Sequence, residues 1–239
     1  MLLILTVLIG AVAGFAAHDL GVQGLTRDHA LRPFLGTCPR CGHEAGWLKP
    51  RCIQCGRVRF RELTLALVSA AAAAGFALTV GFDWPLVAYG GFLVLSGALM
   101  VSDLEELRIV DRLNLRGSVI VGLLLASTAL MEGDYVAFLR GLAGGALYFA
   151  AAFVLWLIAR GRGFGAGDVK LAPQLGLFTA YVSWGTLGWA AFLTAMIGGV
   201  VALTLLATGK ARGETELPYG PPMILGAWLA IALTGLGLV

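Results

Sequence analysis

The strongest constraint on the fold is a series of long apolar stretches, which short polar segments separate along nearly the whole chain. A helix that crosses a bilayer needs about 20 mostly apolar residues, and only helices and closed barrels satisfy their backbone hydrogen bonds in hydrocarbon. The stretches are unbroken rather than alternating, which favours helices over the strands of a barrel. They therefore predict an all-α polytopic membrane protein.

We predict about eight crossings. The stretch 169–208 is about 40 residues long, which is too long for one crossing. Pro173 and the Ser183-Trp184-Gly185 segment favour a hairpin of two helices here, the first of them short. The first stretch lacks a basic start and more spans follow it, so we expect a retained anchor rather than a signal peptide. The predicted spans are 1–17 (ending before His18 and Asp19), 63–82, 86–102, 113–131, 135–159, the hairpin at 169–208, and 223–239.

The number and placement of the charged residues support a membrane protein and predict its orientation in the bilayer. Only 13% of the residues are charged and the mean hydropathy is +0.86, whereas a soluble domain has about 25% charged residues. This composition argues against ordinary soluble, disordered and nucleic-acid-binding proteins. Every Lys and Arg except Arg140 lies in four segments, which the positive-inside rule places in the cytoplasm, with both termini outside. These segments are 18–62, 103–116, 160–170 and 209–213.

Two CxxC pairs lie in the first cytoplasmic segment, Cys38 with Cys41 and Cys52 with Cys55. This spacing is typical of a closed, structural four-thiolate zinc site, in which each pair forms a tight turn. The alternatives are two disulfides, which the reducing cytoplasm disfavours, and idle thiols. His43 is an alternative ligand, although a surface histidine explains it better. We therefore divide the chain into a first transmembrane helix (1–17), a zinc-binding loop (18–62) and a membrane core (63–239).

Two aspartates, Asp103 and Asp168, lie at the predicted cytoplasmic boundary of the membrane. Carboxylates beside a span are costly and tend to mark function. Two of them held close together share a proton, so that one activates water and the other acts as an acid, as in aspartic proteases. The alternative is that Asp168, and also Asp111, are simply helix N-caps. Glu105 and Glu106 are interpreted as solvated charged residues of a loop.

Four motifs in register resemble the type IV prepilin peptidases, bacterial members of the GxGD class of intramembrane aspartic proteases. They cover residues 38–221, which is most of the chain. The motifs are the double CxxC loop followed by Arg61-Glu62, Asp103 with Ile109-Val110-Asp111, Gly165-Ala166-Gly167-Asp168-Val169-Lys170-Leu171, and Pro218-Tyr219-Gly220-Pro221. Val110 stands where the family has Pro.

The resemblance implies that Asp103 and Asp168 are the catalytic pair. It gives supporting roles to Asp111, which would cap the fourth span, and to Gly165 and Gly167, which would let the loop bend around a peptide. Lys170 would stabilise the negative charge of the site. The preference of basic residues for the cytoplasmic side of a membrane explains it equally well. Pro218 and Gly220 would shape the cytoplasmic mouth of the site, unless they only form the turn that starts the last span.

The resemblance also implies the substrates, which are type IV prepilin or pseudopilin precursors, and a place in the bacterial inner membrane with the site facing the cytoplasm. The family N-methylates the new N-terminus with S-adenosylmethionine and links that step to an N-terminal stretch. This stretch is only faintly matched here, by Gly14-Phe15-Ala16-Ala17-His18-Asp19-Leu20. We therefore expect peptidase activity rather than methylation. The rival functions are an ion- or proton-coupled transporter, which the charge-free mid-span regions disfavour, and a membrane-anchored zinc-ribbon scaffold.

Overall fold

The computed structural model describes residues 1–25, 36–37, 44–45, 60–159, 165–208 and 219–239. Within these ranges the chain forms eight helices and one short antiparallel strand pair. The helices are α1 (Leu2–Leu25), α2 (Phe60–Val80), α3 (Trp84–Glu106), α4 (Asp111–Glu132), α5 (Tyr135–Ala159), α6 (Ala166–Val182), α7 (Trp184–Ala207) and α8 (Gly220–Gly235). The strands are β1 (Gly36–Thr37) and β2 (Glu44–Ala45), with Gly36 opposite Ala45.

The helices confirm the predicted all-α membrane fold. Six of them are long and apolar enough to cross a membrane, whereas α6 and α8 are shorter, with 17 and 16 residues. At 1.5 Å per residue α6 spans about 26 Å, slightly less than the roughly 30 Å hydrocarbon core. The protein is therefore a multi-pass membrane protein with a short helix at the predicted position.

The first helix extends past the predicted end at Ala17 and continues to Leu25. The prediction was wrong because it treated His18 and Asp19 as the polar end of the span. Both residues are instead buried, at 8% and 4% exposure, and His18 Nδ1 lies 3.7 Å from Glu62 Oε1 on α2. Polar side chains that face a neighbouring helix rather than lipid do not end a membrane helix.

The predicted hairpin at 169–208 is confirmed, but its break lies only at Ser183. Pro173 lies inside α6 and does not interrupt that helix. Ser183 has an extended backbone, and its Oγ accepts a hydrogen bond from the Thr186 N–H at 2.9 Å, so that Ser183 is the N-cap of α7.

The centre of the bundle is α3, which packs against α1, α4 and α8. Its Phe92 stacks with Phe76 of α2 and Phe178 of α6, and its Tyr89 contacts the same two rings edge to face. The Tyr89 hydroxyl donates to the Phe178 carbonyl oxygen at 2.7 Å, and Trp228 of α8 donates to Ser96 Oγ at 3.0 Å. These buried contacts hold α3, α6 and α8 together, and the candidate site lies at the ends of the same three helices.

Small residues allow α5 and α6 to pack at very short range. A Cβ atom added to Gly176 of α6 would lie 2.5 Å from the carbonyl oxygen of Gly144 on α5, and one added to Gly144 would lie 2.1 Å from Ala180 Cβ. Close backbone approach of this kind is typical of helix pairs in membranes. It fixes α6, and therefore Asp168, relative to α5.

Candidate active site

Asp103 lies in the last turn of α3, and its side chain is 6% exposed. The backbone N–H of Gly220, the first residue of α8, donates to Asp103 Oδ2 at 3.1 Å. Three residues after Asp103, α3 ends, and Leu107 follows in the left-handed conformation with φ 52° and donates its N–H to the Asp103 carbonyl oxygen. The carboxyl group is thus held between the end of α3 and the start of α8.

Asp168 lies in the first turn of α6 and is 4% exposed. It is not the N-cap, the alternative raised by its position, because the N-cap is Gly165. The Gly165 N–H donates to Asp168 Oδ2 at 2.9 Å, and the Asp168 N–H donates to the Gly165 carbonyl oxygen at 3.1 Å. This reciprocal pair starts the helix and fixes the carboxyl group.

The structure brings the two aspartates to the same end of the bundle, close enough for their charges to repel each other. The GxGD segment packs on the connection that follows Asp103, because a Cβ atom on Gly167 would lie 3.2 Å from Ile109 Cβ. Tyr219 directly precedes Gly220, and burial and the nearby Asp168 carboxylate raise the pKa of its phenol. The arrangement is a pair of buried carboxyl groups with a neutral phenol close by.

Gly165 and Gly167 were expected to let the loop bend, but the backbone does not use their conformational freedom. Neither has a positive φ, so neither supplies a bend that other residues could not adopt. A Cβ atom on Gly167 would lie 3.2 Å from Ile109 Cβ, so that a larger residue would have to displace Ile109 slightly. A Cβ atom on Gly220 would lie 2.8 Å from Asp103 Oδ2 and would have to displace that carboxyl group.

Lys170 and Asp111 form an exposed salt bridge across α4 and α6, with 2.8 Å between Nζ and Oδ1. Asp111 was expected to cap the fourth span, but the N-cap of α4 is Val110 and Asp111 lies inside the first turn. The pair joins the segment after Asp103 to the segment after Asp168. Lys170 therefore has a local partner in Asp111.

A polar network between α4 and α6 was not predicted. The Asn114 side-chain amide donates to the Lys170 carbonyl oxygen at 2.9 Å, and Ser118 Oγ donates to Gln174 Oε1 at 3.0 Å. Gln174 Nε2 also donates to Asn114 Oδ1 at 3.3 Å. The sequence signal was present, because Asn114 and Ser118, like Lys170 and Gln174, are four residues apart and so share one helix face.

The buried group formed by His18, Asp19 and Glu62 was also not predicted as part of a site. Its His18 and Glu62 join the C-terminal part of α1 to the start of α2. Three ionisable residues next to predicted spans were the available signal. The four cysteines, His43 and Pro218 lie outside the described residues, although β1 and β2 pair on either side of the segment that contains Cys38 and Cys41.

Comparisons with known proteins give the family. The model of the type IV leader peptidase family matches residues 90–204, a segment that contains Asp103 and Asp168. The chain is 30% identical over 221 residues to a prepilin leader peptidase/N-methyltransferase of Burkholderia pseudomallei (strain K96243), with 85% of this chain and 69% of the relative covered. The chain belongs to the type IV leader peptidase family. A second relative of the same description, from Stutzerimonas stutzeri, is 26% identical over 211 residues, with 81% and 70% covered.

As a member of the type IV leader peptidase family the protein is a membrane peptidase, which confirms the predicted enzyme class. No solved structure matches the chain.

Proposed function

We propose that this leader peptidase removes the short basic leader from type IV prepilin or pseudopilin precursors at the cytoplasmic face of the bacterial inner membrane. One observation carries the proposal. Asp103 and Asp168, which come from separate motifs, are both buried at one end of the bundle and interact electrostatically. The family relatives named above are prepilin leader peptidases, which supplies the substrate class.

The proposed reaction is hydrolysis by the two carboxyl groups, with one proton held between them. The ionised carboxylate takes a proton from water as the hydroxide adds to the scissile carbonyl carbon, and the protonated carboxyl gives its proton to the carbonyl oxygen. Collapse of the tetrahedral intermediate breaks the C–N bond. The leaving nitrogen takes up the proton gained from water, and a hydroxyl of the intermediate returns its proton to the carboxylate that had protonated the carbonyl oxygen, which restores the singly protonated pair. The backbone N–H of Gly220 holds the Asp103 carboxyl in place during these steps.

The membrane provides much of the orientation that the reaction needs. A basic leader stays in the cytoplasm, whereas the apolar segment after it enters the bilayer. The scissile bond between them then lies at the depth of the two aspartates. Placing substrate and catalytic groups at one depth converts an encounter in solution into a nearly intramolecular step.

We further propose that Cys38, Cys41, Cys52 and Cys55 bind one structural zinc ion. Four thiolates suit a closed tetrahedral site. The antiparallel pairing of Gly36 with Ala45 supports the proposal, because it draws together the ends of the segment that carries Cys38 and Cys41. N-methylation with S-adenosylmethionine is a separate proposal, which is based on the names of the relatives.

The test is cleavage of a purified prepilin precursor by the wild type and by Asp168→Asn, followed by mass spectrometry. We expect loss of the leader with the wild type and at least a thousandfold lower rate with Asp168→Asn and with Asp103→Asn. Glu106→Gln, at an exposed position of the same end of α3, is the matched control and should cleave normally. Folded Asp168→Asn that still cleaves would remove Asp168 from the catalytic pair.

The same experiment separates the rival functions. A transporter or a zinc-ribbon scaffold predicts that folded wild-type protein leaves several different precursors intact. Adding S-adenosylmethionine to the reaction tests methylation, which appears as one methyl group on the new N-terminus.

A further inference from the structure

Pro173 weakens the helical turn that follows Asp168. Proline has no backbone N–H, so Pro173 cannot donate a hydrogen bond to the carbonyl oxygen of Val169, which lies four residues earlier in α6. The proline ring also crowds that carbonyl group. Nevertheless, α6 continues without a break from Ala166 to Val182. In a membrane, a helix with such a proline is stabilised when groups of neighbouring helices supply hydrogen bonds at the weakened turn.

Asn114 of α4 makes hydrogen bonds to α6 on both sides of Pro173. Its side-chain amide donates to the Lys170 carbonyl oxygen at 2.9 Å, and its Oδ1 accepts from Gln174 Nε2 at 3.3 Å. Lys170 lies three residues before Pro173, and Gln174 directly follows it. Asn114 and Gln174 are buried, at 5% and 3% exposure. The side chain of Asn114 therefore bridges the weakened turn from outside α6.

Helix α4 is in turn fixed to α3, the helix that carries Asp103. It begins at Asp111, shortly after α3 ends at Glu106, and a Cβ atom added to its Gly117 would lie 2.3 Å from Leu95 Cδ1 on α3. The hydrogen bonds of Asn114 thus connect the first turns of α6 to α3.

The aromatic contacts between α3 and α6 are too far along α6 to do the same. They involve Phe178, which is ten residues after Asp168 and therefore about 15 Å farther along the helix axis. Without Asn114, the turn at Pro173 would leave the start of α6 less firmly attached than the part of α6 that carries Phe178.

We infer that Asn114 is a positioning residue for Asp168. It holds the first turns of α6 against α4 across Pro173, and so keeps the Asp168 carboxyl group in place relative to that of Asp103. The inference rests on the proposed function, in which these two carboxyl groups perform the hydrolysis. Asn114 acts through the placement of Asp168 rather than by contact with the substrate, so its loss affects kcat more than KM.

The first test is Asn114→Leu, which keeps a side chain of similar size and removes both hydrogen bonds. We expect kcat for cleavage of a purified prepilin precursor to fall at least tenfold, because a misplaced carboxyl group slows the chemical step. KM should stay within threefold of the wild type. Thr79→Val is the matched control, because it removes a hydrogen bond between two other helices, from Thr79 Oγ1 to the Ile231 carbonyl oxygen at 2.6 Å. It should leave kcat within threefold.

A second substitution distinguishes positioning of Asp168 from general stabilisation of the bundle. Pro173→Ala supplies the missing N–H within α6, and Pro173 is exposed, so few contacts are lost. Added to Asn114→Leu, it should raise kcat at least fivefold. Gly199→Ala favours the helical state of α7 without a new contact, and is the matched control that should not restore kcat.

Three results with folded protein would overturn the inference. They are a wild-type kcat in Asn114→Leu, a loss confined to KM, and a loss that Pro173→Ala does not reduce or that Gly199→Ala reduces equally. If Asn114→Leu does not fold, the inference requires that Pro173→Ala restores folded and active protein and that Gly199→Ala does not. Failure of that rescue would overturn it as well.

The outcome also separates this inference from the proposed function. If only the role of Asn114 is wrong, the folded wild type still cleaves the precursor. If the proposed function is wrong, the folded wild type leaves it intact.

Discussion

At the scale of single residues, Gly220 links the last helix to Asp103. Its N–H holds the Asp103 carboxyl group, and its missing side chain makes room for it, because a Cβ atom would lie 2.8 Å from Oδ2 and 3.3 Å from Cγ. The obstructing atoms belong to the end of a side chain, which moves more easily than backbone. A methyl group at position 220 is therefore expected to displace the carboxyl group rather than unfold the protein.

We predict that Gly220→Ala lowers kcat/KM for a prepilin precursor by roughly a hundredfold, since a misplacement of about 1 Å costs that much. The midpoint of thermal unfolding in detergent should change little. Gly199→Ala is the matched control, because no atom lies within 4 Å of its added Cβ, and it should retain full activity. Normal cleavage by Gly220→Ala would show that the contact with Asp103 is not required for the reaction.

The sequence predicted some of these residues and not others, for a physical reason. Asp103 and Asp168 were predictable because charged groups beside apolar spans are rare and because they fall within motifs. The burial of His18 and Asp19 and the partial burial of Tyr219 were not predictable, since they depend on which helices become neighbours. Hydropathy indicates whether a side chain favours lipid. It does not indicate whether a polar side chain lies in water or in the interior of the protein.

At the scale of helices, the contacts of Arg140 explain why this basic residue lies outside the four segments that were predicted to be cytoplasmic. It lies on α5, and its guanidinium donates to the carbonyl oxygens of Ala180 and Val182 at 2.7 and 3.0 Å, and also to that of Tyr181. These carbonyls are at the C-terminal end of α6, where the helix dipole favours a cation and the carbonyl groups lack partners within the helix.

We predict that Arg140→Met lowers the free energy of unfolding by roughly 1.5–3 kcal/mol, the usual range for hydrogen bonds to a charged group. Thermal unfolding in detergent measures the loss, and Arg140→Lys should give an intermediate value because an ammonium cannot reproduce the fork of a guanidinium. Cleavage well below the unfolding midpoint should stay within threefold of the wild type, since Asp168 is at the opposite end of α6. An unchanged midpoint would contradict this role for Arg140.

A second prediction at this scale concerns the cysteine loop. Cys41→Ser should lower both the zinc content and the amount of folded protein, because metal binding and folding of a four-thiolate site are coupled. Zinc is measured by mass spectrometry of the purified protein, with one ion per chain expected for the wild type. Asp168→Asn is the control and should keep its zinc. A wild type that folds without metal would contradict the assignment.

Helix ends were less predictable than helix positions. The span 135–159 was predicted with the bounds that α5 has, because a charged turn and a basic segment flank it. The end of α1 was placed too early, and Asp111 was assigned to a cap that Val110 forms. Both errors come from polar residues whose partners are on other helices, which are Glu62 for His18 and Lys170 for Asp111.

At the scale of the whole molecule, the two aspartates meet because an even number of crossings separates them. Asp103 is near the end of α3 and Asp168 near the start of α6, with α4 and α5 between them. Two crossings return the chain to the face that it left. The proximity of the aspartates and the distribution of basic residues therefore support the same topology by independent arguments.

This topology predicts the location of every turn. Alkaline phosphatase, which is active only outside the cytoplasm, should be active when fused after Gly133 or Ser183 and inactive when fused after Glu106 or Thr208. Green fluorescent protein, which fluoresces only in the cytoplasm after this route of export, should give the opposite pattern at each site and serves as the control. The same state at Glu106 and Gly133 would mean that α4 does not cross. The ends of α3 and α6 could then share a face only if α5 did not cross either, and the predicted count of eight crossings would be wrong.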